Sequence, residues 1–269
     1  MICFPNAKIN LGLSVISSRS DGMHNIETCI IPVPLFDILE IRKSSSFSII
    51  TDGIKIDGAQ EENLITKAWR IISSLYDNIT PVKVYLYKNI PIGSGLGGGS
   101  ADAAFFLRMI RTLFSLKIPD MELESIATSV GADCPFFIKN QPALATGIGN
   151  IFKSVSNPIS GKYLTIVYPG FSSNTKDAYS SIVPKKSYDL PEVLKMDIHL
   201  WRNLLSNDFE NKLMIEFPRI KRLKEELYNF GADYVSLTGS GSALFAVSTE
   251  PIITTDGHYD FSHWCFCID

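Results

Sequence analysis

Five glycines, Gly93, Gly95, Gly97, Gly98 and Gly99, crowd the segment PIGSGLGGGSADAA directly ahead of an apolar helical pattern. Neighbouring positions without a Cβ let backbone N–H groups approach a polyphosphate closely. A helix start adds donors without intrahelical acceptors and the positive end of a dipole. The chemistry of such a segment is anion binding. A flexible surface loop has the same composition, yet linkers rarely sit between an alternating strand and an amphipathic helix.

Three familiar phosphate motifs do not fit. The loop G-x-x-x-x-G-K-[ST] is absent, since the only Gly-Lys pair, Gly161-Lys162, is followed by Tyr163. Gly93, Gly95 and Gly98 satisfy G-x-G-x-x-G, but a dinucleotide fold wants an acid ending the next strand, where this chain carries a second helical pattern. Nothing downstream resembles the H-R-D and D-F-G elements of protein kinases. The loop alone therefore points to a nucleotide or another phosphorylated ligand.

Other residues stand out by context. Lys8 lies in the apolar run AKINLGLSVI, where its ammonium needs a partner, a polar cavity or a route to water at an edge. Asn10 shares its side of the strand. Asp133, between Gly131 and Pro135, reads on its own as a turn or cap acid, and His24 as a loop-tip residue. Gly239-Ser240-Gly241 reads as a tight turn between two strands. His258, His263, Cys265 and Cys267 in the tail lack the ligand spacing of a structural zinc site, and a buried terminal strand is expected there.

The elements that must position these residues follow from periodicity. AKINLGLSVI and HNIETCIIPVPL form a hairpin with the polar tip SSRSDG, and FDILEIRK and FSIITDGIKIDG extend the sheet, with turns at Asp52-Gly53 and Asp57-Gly58. NLITKAWRIISSLY is a helix capped by Asn63, and VKVYLYKNI is a strand with Val82, Val84 and Leu86 on one face. The order is then strand, glycine loop, helix SADAAFFLRMIRTLFSL, and a further helix MELESIATSV with Asp120 as N-cap and Gly131 just past its end. Composition shifts to Gly, Ser, Asn and Pro around residues 150–162, giving domains 1–155 and 156–269. YLTIVYP and YVSLTGSGSALFAV supply strands to the second.

With 269 residues, 45% of them hydrophobic, the chain can build packed cores without staples. A net charge of −3 gives no global pull toward nucleic acid or an anionic membrane. Five scattered cysteines without a secretory leader suggest the reducing cytoplasm, and no apolar run approaches the length of a membrane span.

The glycine loop, with FPNAKINLGL, DGMHNIET, GADCPFF and LTGSGSALF in that chain order, resembles the GHMP kinases, and among them those whose acceptor is a cytidyl diphosphate sugar alcohol. The resemblance covers nearly the whole chain, loosens through 172–225 and fades after Thr249. It implies an α+β fold of two domains, an ATP-binding N-terminal one and a smaller C-terminal one, with the acceptor in a cleft between the halves. It places ATP over Pro91, Ile92, Gly93, Ser94, Gly95, Leu96, Gly97, Gly98, Gly99, Ser100 and Ala101. It makes Lys8 and Asp133 the catalytic pair. Asn10, His24, Thr175, Tyr179 and Gly239 would contact the acceptor, His24 at the edge of the base and Tyr179 against its face. Met23 departs from the tyrosine usual before that histidine, although a thioether can still cover an aromatic face. Mg²⁺ is expected to arrive with ATP, touching Ser94 or Ser100, with no dedicated metal cage. The rivals are another GHMP kinase of mevalonate or homoserine type and a relative that binds nucleotide without turnover.

Overall fold

The computed structural model describes residues 1–56, 59–173, 175–179, 182–186, 188–252 and 261–268, apart from the side chains of Gln60, Thr175 and Lys176. Along the chain run β1 (Ile2–Cys3), β2 (Asn6–Ser18), β3 (His24–Phe36), β4 (Ile38–Lys43), β5 (Ser48–Gly53), α1 (Leu64–Leu75), β6 (Val82–Lys88), α2 (Gly98–Leu113), α3 (Asp120–Val130) and α4 (Phe136–Lys139). They are followed by β7 (Ala143–Thr146), β8 (Ile151–Ser154), β9 (Tyr163–Tyr168), α5 (Thr175–Tyr179), α6 (Leu190–Val193), α7 (Ile198–Leu204), α8 (Glu210–Glu216), α9 (Pro218–Asn229), β10 (Tyr234–Leu237), β11 (Leu244–Ser248) and β12 (Ser262–Cys267). The expected Asp57-Gly58 turn and His258 lie outside the described residues.

The chain forms two compact units, each assembled from separate stretches. Unit 1 comprises Met1–Ala7, Pro34–Ile92 and Gly97–Gln141, and unit 2 comprises Lys8–Val33, Gly93–Leu96 and Pro142–Asp269.

Unit 1 contains the sheet β1-β4-β6-β5, antiparallel except for the parallel pair β5 and β6. In β6 the alternation expected of a half-buried strand puts Val82, Val84 and Leu86 on the buried face, and Lys88 continues that face. Asn63 caps α1, its side-chain Oδ1 accepting the Ile65 N–H at 2.9 Å. Helix α2 packs against α1, α3 and α4 and buries Ala101, Ala103, Ala104, Phe106, Leu107 and Ile110. Each large side chain among them contributes about 1.5–3 kcal/mol of apolar transfer.

Two expected helix ends differ. The N-cap of α3 is Pro119, and Asp120 is its first helical residue, drawn instead to Arg111 at 2.6 Å. Gly131 ends α3 with φ −170°, an extended conformation open to any residue, so no left-handed glycine cap forms.

Unit 2 contains most of β2 and β3 in the sheet β2-β3-β7-β8, and the antiparallel sheet β10-β11-β9-β12. Helices α8 and α9 cover the second sheet through Leu213, Ile220, Leu223 and Leu227, packed with Val167, Val235, Leu237, Leu244 and Ala246. The tail does form a strand, but β12 is the edge of its sheet, with His263, Cys265 and Cys267 exposed. The expectation of a buried terminal strand is overturned because β12 has one strand neighbour, β9, among the described residues.

Candidate active site

In unit 2 the glycine loop meets β2. The Lys8 N–H donates to the Leu96 carbonyl at 2.9 Å, and the Lys8 ammonium donates to the Gly95 carbonyl at 2.7 Å and to Asn10 Oδ1 at 2.5 Å. Lys8 is 3% exposed, so these oxygens replace the water that a buried ammonium would otherwise lose. Thr238, just after β10, closes the group. Its hydroxyl accepts the Asn10 N–H at 3.2 Å and faces the Gly95 carbonyl at 3.3 Å.

Gly95 sits at φ +81°, and a Cβ there would lie 2.0 Å from the Thr238 carbonyl oxygen, which excludes every other residue. Gly239, at φ +55°, lies so close that a Cβ on it would stand 3.2 Å from the Gly95 oxygen and 3.3 Å from Lys8 Nζ. Asn207 fixes that turn, donating from its amide to the carbonyls of Leu237 at 2.9 Å and Gly239 at 2.8 Å. Four residues singled out in the sequence, Lys8, Asn10, Gly95 and Gly239, thus converge. Thr28, Asn207 and Thr238 complete their setting.

The tract does not use all its glycines alike. A Cβ at Gly93 would meet Ser172 at 2.6 Å, and one at Gly98 would meet Ile90 at 2.8 Å, so these positions serve close packing. Gly99 is open, with nothing nearer than Leu64 at 3.9 Å. Ser94 is 1% exposed, and its hydroxyl accepts the Leu96 N–H at 3.3 Å.

In unit 1 the loop continues into α2. Gly97 is the left-handed N-cap, and the Ala101 N–H returns to the Gly97 carbonyl at 2.9 Å. The amides of the turn in between have no intrahelical acceptor. Asp133 lies in the turn closed by the Cys134 N–H on the Gly131 carbonyl, ahead of Pro135 and α4. The first turn of α2 comes near this turn at Ser100, whose hydroxyl would lie 4.0 Å from a Cβ on Gly131 and favours ionisation of the Cys134 thiol less than burial opposes it. Burial pushes that thiol up to about 12, so Cys134 stays protonated and is no nucleophile.

A charge cluster in unit 1 was not anticipated. Lys88, at the end of β6, donates to Asp37 and, at 2.8 Å, to Asp102 on α2; all three are buried. Asp37 also accepts the N–H groups of Asn89 at 2.6 Å and Ile90 at 2.8 Å, anchoring the start of the glycine loop. One ammonium serves two carboxylates. Burial pushes Asp102 up to about 7, with Lys88 opposing and Asp37 adding to the rise. A carboxyl raised from 3.8 holds its proton in the folded chain while the unfolded chain has lost it, so its contribution to stability declines as pH rises from about 4 to about 7. Asp102→Asn removes that decline. Between pH 5 and pH 8 the wild-type Tm is expected to fall about 5 °C more than that of the variant, and equal slopes in thermal melts would refute this.

His24 and Tyr179, both in unit 2, stack with ring centroids 4.9 Å apart and 24° between planes, and Tyr179 meets Phe209 edge-on at 4.8 Å. The resemblance set His24 at the edge and Tyr179 at the face of a base, and here the two rings touch each other. A base would have to part them or stack on an outer face. Met23 beside them is 43% exposed. Thr175 opens α5, and its side chain lies outside the described ones.

Residues 63–141 match the GHMP kinases N terminal domain and residues 189–252 the GHMP kinases C terminal family. The composition shift at 150–162 falls between the two. The chain is 45% identical over 252 residues to the 4-diphosphocytidyl-2-C-methyl-D-erythritol kinase of Parabacteroides distasonis, covering 93% of both chains. To that of Porphyromonas gingivalis it is 47% identical over 255 residues, again with 93% of both covered. A crystal structure of 4-(cytidine 5'-diphospho)-2C-methyl-D-erythritol kinase superposes with a TM-score of 0.79 at 29% identity, over 93% of this chain and 91% of that one. A mevalonate kinase structure, at TM-score 0.73 and 16% identity, shares the fold over 98% of each. With the lysine seated on a glycine loop and both domain matches in order, the chain belongs to the GHMP kinases, ATP-dependent small-molecule kinases, and within them to the 4-diphosphocytidyl-2-C-methyl-D-erythritol kinase family.

Proposed function

We propose that this chain transfers the γ-phosphoryl group of ATP to the 2-hydroxyl of 4-diphosphocytidyl-2-C-methyl-D-erythritol, a step of non-mevalonate isoprenoid precursor synthesis, in the cytoplasm. The observation that carries this reading is the seat of Lys8, whose buried ammonium lies on the carbonyl of Gly95 within the phosphate loop. The curated relatives named for that acceptor support the choice among GHMP kinases.

Phosphoryl transfer asks for alignment and charge neutralisation more than covalent work. The amides from Gly93 to Ala101 hold the phosphates, with Pro91 and Ile92 leading into the loop. Lys8 offsets charge on the transferring group and the nascent alkoxide, and Asp133 accepts or orients the hydroxyl proton. Asn10 and Gly239 border the acceptor, with Thr175 alongside. Mg²⁺ arriving with the nucleotide would lower the charge of the triphosphate. No cluster of three His, Cys, Asp or Glu able to hold a metal occurs among the described residues. Bound with ATP, Mg²⁺ would be held by phosphate oxygens and water, with Ser94 or Ser100 the loop hydroxyls that would reach it.

ADP release measured with the cytidyl acceptor, mevalonate and homoserine in turn tests the proposal. Turnover confined to the first is expected, and turnover with either of the others, or with none, overturns it. His24 and Tyr179 form the platform for cytosine. Tyr179→Ala is expected to raise KM for the cytidyl acceptor about 10-fold or more, the scale of one base–aromatic stack, with KM for ATP unchanged. Equal effects on both substrates would remove Tyr179 from acceptor recognition.

A further inference from the structure

An amide side chain looks alike from either end, and Asn10 must present the correct one to Lys8. Its oxygen accepts from the ammonium at 2.5 Å. Turned by half a rotation, Asn10 would aim an NH₂ group at a buried cation, replacing attraction by repulsion. What prevents the turn lies on the opposite side.

Thr28 is fully buried on β3, where its backbone pairs with Ala145 of β7. Its hydroxyl carries a single hydrogen, and that hydrogen is donated to the Gly12 carbonyl at 2.5 Å. Toward Asn10 the hydroxyl therefore shows lone pairs only, and the Asn10 amide nitrogen donates to it at 3.1 Å. The Gly12 acceptor is itself fixed. Gly12 lies within β2 at φ +65°, and a Cβ there would collide with Leu205 at 2.6 Å and with the Tyr188 hydroxyl at 2.7 Å. The sequence of constraints runs from the Gly12 carbonyl to the Thr28 hydroxyl, to the Asn10 amide, to the Lys8 ammonium and on to the Gly95 carbonyl. All of these residues belong to unit 2.

We infer that Thr28 is a positioning residue for phosphoryl transfer: its hydroxyl locks the Asn10 amide with the oxygen toward Lys8 and so keeps the ammonium seated on the glycine loop. This rests on Lys8 being the cation of the active site. Thr28 touches neither nucleotide nor acceptor in this role. Its loss should change the rate of the chemical step and leave substrate affinities alone.

Thr28→Val keeps shape and removes both hydrogen bonds, while Thr28→Ser keeps the hydroxyl. In the full-length enzyme the valine variant is expected to lose about 10- to 100-fold in kcat, the cost of a misplaced catalytic group, with KM for ATP and acceptor within about twofold of wild type. The serine variant should recover most of the rate. A valine variant with wild-type kcat, or a serine variant as slow as valine, overturns the inference, as does a loss carried by KM alone. Should the valine variant not fold, Thr28→Cys takes its place, since a thiol fills the space but donates and accepts weakly; undiminished kcat there is equally fatal. Lys8→Met assayed alongside separates the two ideas. Full activity in that variant defeats the reading of Lys8 itself, whereas an inactive Lys8→Met beside an unimpaired Thr28→Val defeats only the role of Thr28.

Discussion

Lys8→Met is expected to lower kcat by about 10²- to 10³-fold or more, the scale of removing one preorganised donor from a developing charge. Methionine fills much the same volume, so the strand keeps its packing. What disappears is the ammonium between Asn10 Oδ1 and the Gly95 carbonyl, leaving two buried acceptors without that donor at a cost of about 1–3 kcal/mol each at most. Steady-state kinetics beside a thermal melt distinguish the effects. A folded variant with nearly normal kcat would show that the ammonium holds the loop and takes no part in the transfer.

Asp133→Asn should cost about 10²-fold or more in turnover while ATP still binds, because the amide cannot accept the hydroxyl proton. Its neighbour cannot substitute. The Cys134 thiol is buried and pushed up to about 12, so it supplies no base near neutral pH. Nucleotide affinity is read by calorimetry and turnover by ADP release. An unchanged rate removes Asp133 from the mechanism, and loss of ATP binding would instead give it a structural task at the turn that meets the start of α2.

Much of this was readable from residue types and spacing. The strand, glycine loop and helix around residues 82–113 follow from alternation, from a Cβ-free tract and from an apolar stripe, and each is local. Lys8 announced itself as a charge in an apolar run. Lys88 carries the same signal, since it continues the face set by Val82, Val84 and Leu86, but a lysine at the end of a strand is ordinary where the chain is leaving for solvent. Its partners Asp37 and Asp102 come from distant stretches, and only the folded chain brings them together. Thr28, Thr238 and Asn207 were illegible for a different reason. A threonine in a strand or an asparagine in a loop is ordinary, and what distinguishes them is the direction of one hydrogen. The misjudged tail has a third cause. Trp264, Phe266 and the cysteines have the composition of a core strand, but burial depends on what lies beyond the edge, and composition carries no information about that.

The division into two interleaved units also orders events during synthesis. Unit 1 has all its stretches once residue 141 has left the ribosome, whereas Lys8–Val33 waits for partners in Pro142–Asp269. The ammonium finds its complete berth only after Thr238 and Gly239 have emerged. A nascent chain stalled before that point holds every stretch of unit 1 but leaves Lys8 without the turn at Thr238 and Gly239 beside it.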